Sequence, residues 1–239
     1  LSICIPSYNR PLELKRLLES LDCDHSSVEI VICEDFSPRR DEIRFIVESF
    51  KEQSGYKIKY SENKQNLGHG GNFRQCIALS EGTFVMFMGD DDMFVKSELD
   101  NYLQFLELNC QYGYVLRCSR QRIGTNSYEY FRYYNDCRVF PAGESSFVEL
   151  FLKSVFMSGF TIRRDLVKDI ITESLDYTLL FQLYLLGKVS LFYDSIYYNQ
   201  PFVEGVGDGT SFFGTNEKER DLYEPGKLVT NNLKFIQGF

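Results

Sequence analysis

Tryptophan is absent, histidine occurs only as His25 and His69, and there is no Cys-x-x-Cys. Two histidines so far apart argue against a His-rich zinc site. The seven cysteines, at 4, 23, 33, 76, 110, 118 and 137, are odd in number, and four lie in apolar stretches. A reducing, cytoplasmic setting is expected from that usage. No apolar run exceeds about five residues (Phe84 to Met88), against the roughly 18 needed to span a bilayer, so no transmembrane helix is expected. Positive charge is scarce: 26 Lys and Arg face 34 Asp and Glu, for a net charge of −8 and a pI near 5. This disfavours nucleic acid as a partner, since duplex binding rests on cations that neutralise phosphates. One local anion site stays open, above all one that uses a metal. Repeats and low-complexity blocks are missing as well. The chain opens on an apolar strand pattern, Leu1 to Ile5, without a basic start, a small-residue cleavage site or an initiator Met. No secretory signal is expected, and trimmed termini are.

What remains is a globular composition, 44% hydrophobic and 25% charged over 239 residues. A chain of this length buries roughly 70–75% of its unfolded surface and needs no disulfide or metal to hold it together. The first half alternates strand and helix patterns. Ser2–Ile5, Val28–Cys33, Lys57–Tyr60 and Thr83–Met88 read as strands. Helices are expected from Pro11, with Leu14, Leu17, Leu18 and Leu21 inward, and over Asp41–Phe50, capped by Asp41 with Ile43, Ile46, Val47 and Phe50 inward. Gly71–Leu79 and Lys96–Leu108 read as two more. Such alternation predicts an α/β fold with a mostly parallel sheet flanked by helices, which binds ligands beyond the carboxyl ends of its strands.

After residue 110 the pattern is less regular. Tyr114–Ile123 reads as a strand and Tyr128–Tyr134 as an aromatic hairpin arm. Helices are expected at Glu144–Lys153, Asp165–Ile171, Tyr177–Leu186 and Leu228–Ile236, and strands at Val189–Tyr193 and Ile196–Asn199. Residues 201–215 read as a long loop. No linker separates the halves, so one domain over 1–239 is expected.

The strand ends carry the chemistry. The first strand runs into Pro6-Ser7-Tyr8-Asn9-Arg10, the second into Glu34-Asp35-Phe36-Ser37, the fourth into Gly89-Asp90-Asp91-Asp92. Clustered carboxylates repel one another, and a bound cation relieves the repulsion. Oxygen ligands on a short turn suit Mg²⁺ or Mn²⁺, which take further ligands from substrate phosphates. A solvated acidic turn that caps the next helix is the alternative. Asp35 suits a ribose hydroxyl or a base N–H, or else caps a helix ahead of Pro38. The run from Asn66 through Gly68 to Asn72 is a glycine-rich turn before a helix, able to bring backbone N–H groups to a phosphate.

In order and spacing these segments together resemble family 2 glycosyltransferases of the GT-A fold, over residues 1–110 and more weakly to about 200. The resemblance implies a Rossmann-like sheet with a mixed acceptor-side region. It implies that Pro6, Tyr8, Arg10 and Asp35 hold the nucleotide, with Asn66, Gly68, Asn72 and Asp90 on the same donor side. The aspartate cluster would bind the divalent cation, with Asp91 as the best match to the metal ligand and Asp92 beside it; Gly89 stands where the family often has an acid. Asp176, with Gly187 eleven positions later, matches the family's catalytic base, although Leu175 replaces the first acid of the pair and Gln182 a frequent arginine. A helix cap is the alternative for Asp176. Ser158-Gly159-Phe160 resembles the acceptor-side turn, and the segment from Phe212 to Gly226 resembles bacterial transferases of the abequosyl type.

The implied reaction moves a sugar from a nucleotide-sugar donor to a hydroxyl of a saccharide or lipid-linked saccharide, with inversion, in bacterial surface polysaccharide synthesis. Residues 1–110 would take the donor and 111–239 the acceptor. Peripheral contact with the inner face of a membrane is compatible with such acceptors. The Tyr128–Tyr134 arm is a candidate platform for an acceptor ring, or simply packs on its own core. Two rival readings are a noncatalytic nucleotide- or carbohydrate-binding module, for which Leu175 speaks, and a sugar-nucleotide nucleotidyltransferase, against which the non-glycine turn Ser7 to Arg10 speaks.

Overall fold

Apolar residues alternate along the central strands, so each strand feeds two cores at once. In the computed structural model, which describes residues 1–176 and 180–209, Ile3, Ile5, Ile30, Ile32 and Met86 face one side. Cys4, Val31, Cys33, Val85 and Phe87 face the other. The strands that carry them are β1 (Ser2–Ser7), β2 (Glu29–Glu34), β3 (Lys57–Glu62) and β4 (Phe84–Phe87). All four run parallel, in the order β3-β2-β1-β4. The first core is covered by α1 (Pro11–Glu19), through Leu14, Leu17 and Leu18, and by α2 (Arg40–Ser54), through Ile43 and Val47. The second core is covered by α3 (Gly68–Leu79), through Phe73, Cys76 and Ile77. The expected α/β architecture is therefore present.

Three helix starts in the first half differ from expectation; α3 begins at Gly68 rather than Gly71. Asp41 does not cap α2; the helix begins one residue earlier, and Asp41 pairs with Arg44 at 2.8 Å within its first turn. The chain after β5 (Met93–Phe94) enters α4 (Leu99–Leu108) later than Lys96, because Ser97 takes a left-handed turn, φ +63°, with its N–H held by Asp22 Oδ2 at 2.6 Å.

The expected strand Tyr114–Ile123 is two strands. β6 (Tyr114–Arg117) stays in the large sheet, and after Cys118 the chain crosses into a small one as β7 (Ser119–Gly124) and β8 (Ser127–Phe131). The β7–β8 hairpin confirms the aromatic arm, with Tyr130 and Phe131 exposed, whereas Tyr133 and Tyr134 pack on Tyr197. β9 (Arg138–Phe140) and α5 (Glu144–Phe151) follow. β10 (Phe160–Arg163) lies antiparallel between β4 and β6, which makes the sheet mixed.

Asp165–Ile171 is a 3-10 turn, Arg164–Leu166, followed by further hydrogen-bonded turns rather than an α-helix. Arg164 is tied back to β4 by its N–H on Thr83 O and its Nε on Gly82 O, both at 2.9 Å. The Val189–Tyr193 strand is also absent: Val189 belongs to α6 (Phe181–Ser190), which is apolar on nearly every side, so its run does not show a helical period. The large sheet ends with β11 (Ser195–Tyr198) beside β6 and β9, in the order β3-β2-β1-β4-β10-β6-β11-β9. Part of the expected 201–215 loop is β12 (Val203–Gly205), which joins the small sheet β5-β12-β7-β8. The remainder of that loop beyond residue 209, the Leu228–Ile236 helix, the Phe212–Gly226 segment and Tyr177 lie outside the described residues. Among the described residues no helix is long and apolar enough to cross a membrane.

Candidate active site

The carboxyl ends of β1, β2 and β4 open onto one cleft. Pro6, Tyr8, Arg10, Asp35, Asn66, Gly68, Asn72, Asp90 and Asp91 all line it. Asp92 and Asp176 are not among its lining side chains.

After β1 the chain turns at Asn9, φ +59°, which delivers Arg10 into the cleft just before Pro11 opens α1. The Arg10 guanidinium lies 2.8 Å from Asp90 Oδ1 and 3.1 Å from Asp91 Oδ2. At the end of β2 the fully buried Glu34 carboxylate accepts from Phe36 N at 3.0 Å and Ser37 N at 2.7 Å. That local cap forces Phe36 into the left-handed region, φ +59°, and directs Asp35 inward. Asp35 accepts from Leu67 N at 2.8 Å, Gly68 N at 2.9 Å and Asn63 Nδ2 at 2.8 Å.

This corrects two readings. Asp35 does not cap a helix ahead of Pro38. The N–H groups of Leu67 and Gly68, expected to face a phosphate, serve Asp35 instead. Asn72 completes the frame, with Nδ2 on Cys33 O at 2.9 Å and Oδ1 accepting from Asn63 at 3.0 Å. The neighbouring glycines have a different purpose. A Cβ at Gly70 would come within 2.4 Å of Asp176 O, and one at Gly71 within 3.2 Å of Asp176 Oδ2. They clear room for Asp176, whose two oxygens accept from Arg74 Nε and Nη2, each at 2.8 Å.

The three aspartates diverge. Asp90 is buried against Arg10 and accepts from Tyr8 N at 3.1 Å. Burial, aided by Asp91 and opposed by Arg10, raises its carboxyl to about 6. Asp92 turns away from the cleft. It accepts from Ser158 Oγ and from Val206 N at 3.3 Å, and burial raises it to about 7. Asp91 lines the cleft beside Asp90 and is the more exposed of the two, its side chain 25% accessible against 5%. Of the expected metal pair, Asp91 lines the cleft and Asp92 does not. No group of three His, Cys, Asp or Glu side chains able to hold a metal occurs among the described residues. One carboxylate nevertheless fits Mg²⁺ or Mn²⁺, which take waters and substrate phosphates for the rest. Gly89 leaves room for this turn: a Cβ there would lie 3.0 Å from Asp91 Oδ1 and 3.2 Å from both Asp92 Oδ2 and Ser158 Oγ, so these side chains would have to shift by a few tenths of an ångström.

The structure adds His69 and Met157 to the cleft. His69 stands edge-on to Phe73, ring centres 4.6 Å apart, and burial lowers its pKa to about 4, so the imidazole is neutral. Its place beside Gly68 in the glycine-rich run is the signal that marks it. Met157 precedes β10, and its place directly before the Ser158-Gly159-Phe160 turn is the signal that could have found it. Residues 206–209 rest on the acidic turn: Arg16 joins Asp208 and Asp91 O, each at 2.6 Å.

Residues 2–171 match the family model described as glycosyl transferase family 2. Abequosyltransferase RfbV of Salmonella typhimurium is 27% identical over 130 residues, 54% of this chain and 38% of that protein. The GalNAc(5)-diNAcBac-PP-undecaprenol beta-1,3-glucosyltransferase of Campylobacter jejuni is 28% identical over 133 residues, 54% of this chain and 41% of that one. The chain thus spans about two fifths of the length of these curated relatives. S. aureus TarS 1-349 in complex with UDP-GlcNAc superposes with a TM-score of 0.70 at 17% identity, covering 88% of this chain and 59% of that one. Mannosyltransferase PcManGT from Pyrobaculum calidifontis, in complex with GDP-Man and Mn²⁺, gives 0.65 at 13% identity, covering 99% and 64%. These two likenesses concern the fold. With a family model spanning most of the chain and the GT-A architecture in place, the chain belongs to glycosyl transferase family 2.

Proposed function

We propose that this chain is a glycosyltransferase that moves a sugar, with inversion, from a nucleoside diphosphate sugar bound in the cleft to a hydroxyl of a saccharide or lipid-linked saccharide. The observation that carries the reading is the meeting of Asp35, Arg10 and Asp91 in one cleft, from three different strand ends. In this reading Asp35, with Asn66, Gly68 and Asn72, holds the nucleoside. Pro6, Tyr8, Arg10 and Asp90 form the wall on the diphosphate side. Asp91 would hold a divalent cation, which stabilises charge on the leaving diphosphate when bound. Arg10 supplies a fixed positive charge at the same place, 3.1 Å from Asp91.

An acceptor hydroxyl needs a base within hydrogen-bond reach. Asp176 is the proposed base, and Arg74 must then release at least one of its two bonds. Residues 1–110 serve the donor and 111–239 the acceptor within one domain, with the exposed Tyr130 and Phe131 as an acceptor platform. A lipid-linked acceptor, in bacterial surface polysaccharide synthesis at the cytoplasmic face of a membrane, agrees with the name of the Campylobacter relative, which specifies a diphosphoundecaprenol-linked saccharide.

Thermal shift with UDP, GDP, CDP and dTDP sugars, with and without Mn²⁺, tests the donor half: one base should stabilise the protein, more so with Mn²⁺. No stabilisation by any of them removes the reading. Asp176→Asn should keep donor binding and abolish transfer; normal transfer would remove Asp176 from the base role. Donor binding by the wild type with neither transfer nor hydrolysis would leave a noncatalytic binding module.

A further inference from the structure

Near the cleft lies a buried guanidinium held by backbone carbonyls. Arg117, the last residue of β6, is 1% exposed, and no carboxylate pairs with it among the described residues. Its partners are two backbone carbonyls. Nε donates to Ser158 O at 2.9 Å, Nη2 donates to Phe156 O, and the guanidinium lies 5.2 Å from the centre of the Phe156 ring. Burying a guanidinium away from any carboxylate is costly, and an apolar side chain would fill the same space at lower cost. The charge therefore needs an explanation beyond packing.

The turn it clamps offers one. Met157 lines the cleft from this turn. The buried Ser158 Oγ accepts from Gly89 N at 2.9 Å and donates to Asp92 Oδ2. Those two contacts bracket Asp91 in the chain. Gly159 N is bonded to Phe87 O at 2.8 Å, which ties the turn to the strand end that leads into the acidic residues. Gly159 sits at φ +80°, and a Cβ there would come within 3.3 Å of Arg117 Cγ, so the backbone closes directly over the arginine stem.

We infer that Arg117 is a positioning residue of the donor cleft. By clamping the carbonyls of Phe156 and Ser158, it holds Ser158 against the acidic turn and Met157 in the cleft wall. The orientation of Asp91 toward a diphosphate then depends on a side chain that never touches the ligand. A lysine does not replace it, because one ammonium lacks the planar fork that reaches two carbonyls. The inference rests on the proposed donor site for its ligand and on the hydrogen bonds alone for its geometry.

The test uses the whole chain with Arg117→Met, Arg117→Lys, Ser158→Ala and the double variant Arg117→Met/Ser158→Ala. Two quantities are read: amide hydrogen exchange at Gly89, and calorimetric affinity for UDP, GDP, CDP and dTDP with Mn²⁺. In Arg117→Met, Gly89 exchange should speed up at least about tenfold, and the tightest diphosphate should weaken by about 10- to 100-fold, the usual cost of losing such support. Arg117→Lys should not restore either. Ser158→Ala, which leaves both carbonyl contacts in place, should reproduce both losses, and the double variant should lose no more than the worse single one. A purely structural Arg117 would lower the melting temperature and leave both readouts unchanged in folded protein, and that result overturns the inference. Additive losses in the double variant overturn it as well. Should Arg117→Met not fold, Arg117→Lys, which keeps the charge but loses the fork, decides, and unchanged Gly89 exchange and diphosphate affinity there are the negative result. Should wild type bind none of the four diphosphates, the donor-site reading fails, and Gly89 exchange alone judges the positioning role.

Discussion

The two ends of the β1–β2–β4 sheet bury carboxylates in opposite electrical surroundings. At the amino end, Glu29 accepts from Ser2 Oγ at 2.6 Å, Glu81 N at 2.5 Å and Gly82 N at 3.1 Å, with Lys59 Nζ at 3.0 Å and Lys57 Nζ at 3.4 Å. Burial pushes this carboxyl up, but the hydrogen bonds and the lysines outweigh burial and hold it at about 2. At the carboxyl end, Asp90 has one guanidinium, one backbone N–H from Tyr8 and a second carboxylate beside it, and burial carries it up to about 6. One end surrounds its carboxylate with donors and two lysines; the other is short of positive charge. Buried ionised groups are tolerated where donors surround them, and an unrelieved excess of like charge marks a place prepared for a cationic or cation-bearing ligand. The same strands thus carry stability at one end and function at the other.

The comparison breaks most sharply at Asp91. Asp91→Asn should reduce transfer by about 10²- to 10³-fold, the usual loss when a group that stabilises developing charge is removed. The melting temperature should hold or rise, because a repelling charge has gone. Activity within threefold of wild type, in an assay with Mn²⁺ and donor, would mean that the carboxyl end is no more than an acidic turn.

The amino end should respond in the opposite way. Glu29→Ala should cost about 3 kcal/mol by urea denaturation, since it strands a buried network around Lys59, with nucleotide affinity of the folded protein unchanged. The pH dependence has a definite sign. The native carboxyl titrates at about 2, below its ordinary 4.5, so its contribution is complete above pH 4.5 and is lost as the pH falls toward 2. The stability gap between wild type and Glu29→Gln should therefore shrink from pH 5 to pH 2.5; a constant gap would show that the charge is not what stabilises.

A smaller effect is expected at the helix beside the cleft. Gly70→Ala places a methyl 2.4 Å from Asp176 O, so the loop must move, at about 1–3 kcal/mol in melting experiments. The least effect belongs to the exposed pair between Arg39, just ahead of α2, and Glu42, 2.6 Å apart: Arg39→Ala should leave the melting temperature unchanged.

Legibility followed the same divide. β1, β2, β4, α1 and α2 were readable because Ile3/Ile5, Leu14/Leu17/Leu18 and Ile43/Val47 fall on single faces set by their periods, and those faces meet the core. Among the cleft residues, Pro6, Tyr8, Arg10, Asp35, Asp90 and Asp91 lie at or just after the ends of β1, β2 and β4, and parallel strands bring their ends together whatever else the chain does. The second half resisted because its decisions are not periodic. Tyr114–Ile123 splits between two sheets at Cys118, β10 inserts antiparallel between strands far from it in sequence, and α6 is apolar all round. Asp91 and Asp92 are alike in sequence, yet Ser158, 66 residues from Asp92, draws one of them out of the cleft.

Taken alone, the sequence determined the parallel α/β core and the gathering of Arg10, Asp35 and the aspartates at one edge, because alternation and helical period are local and parallel pairing aligns the ends of strands. Which aspartate faces the ligand, that Asp35 takes the N–H groups of the glycine turn, and that Arg117 and Ser158 support the acidic turn were decided only in three dimensions. Each of those outcomes is a competition among hydrogen-bond partners far apart in the chain, and burial, which no local pattern encodes, settles it.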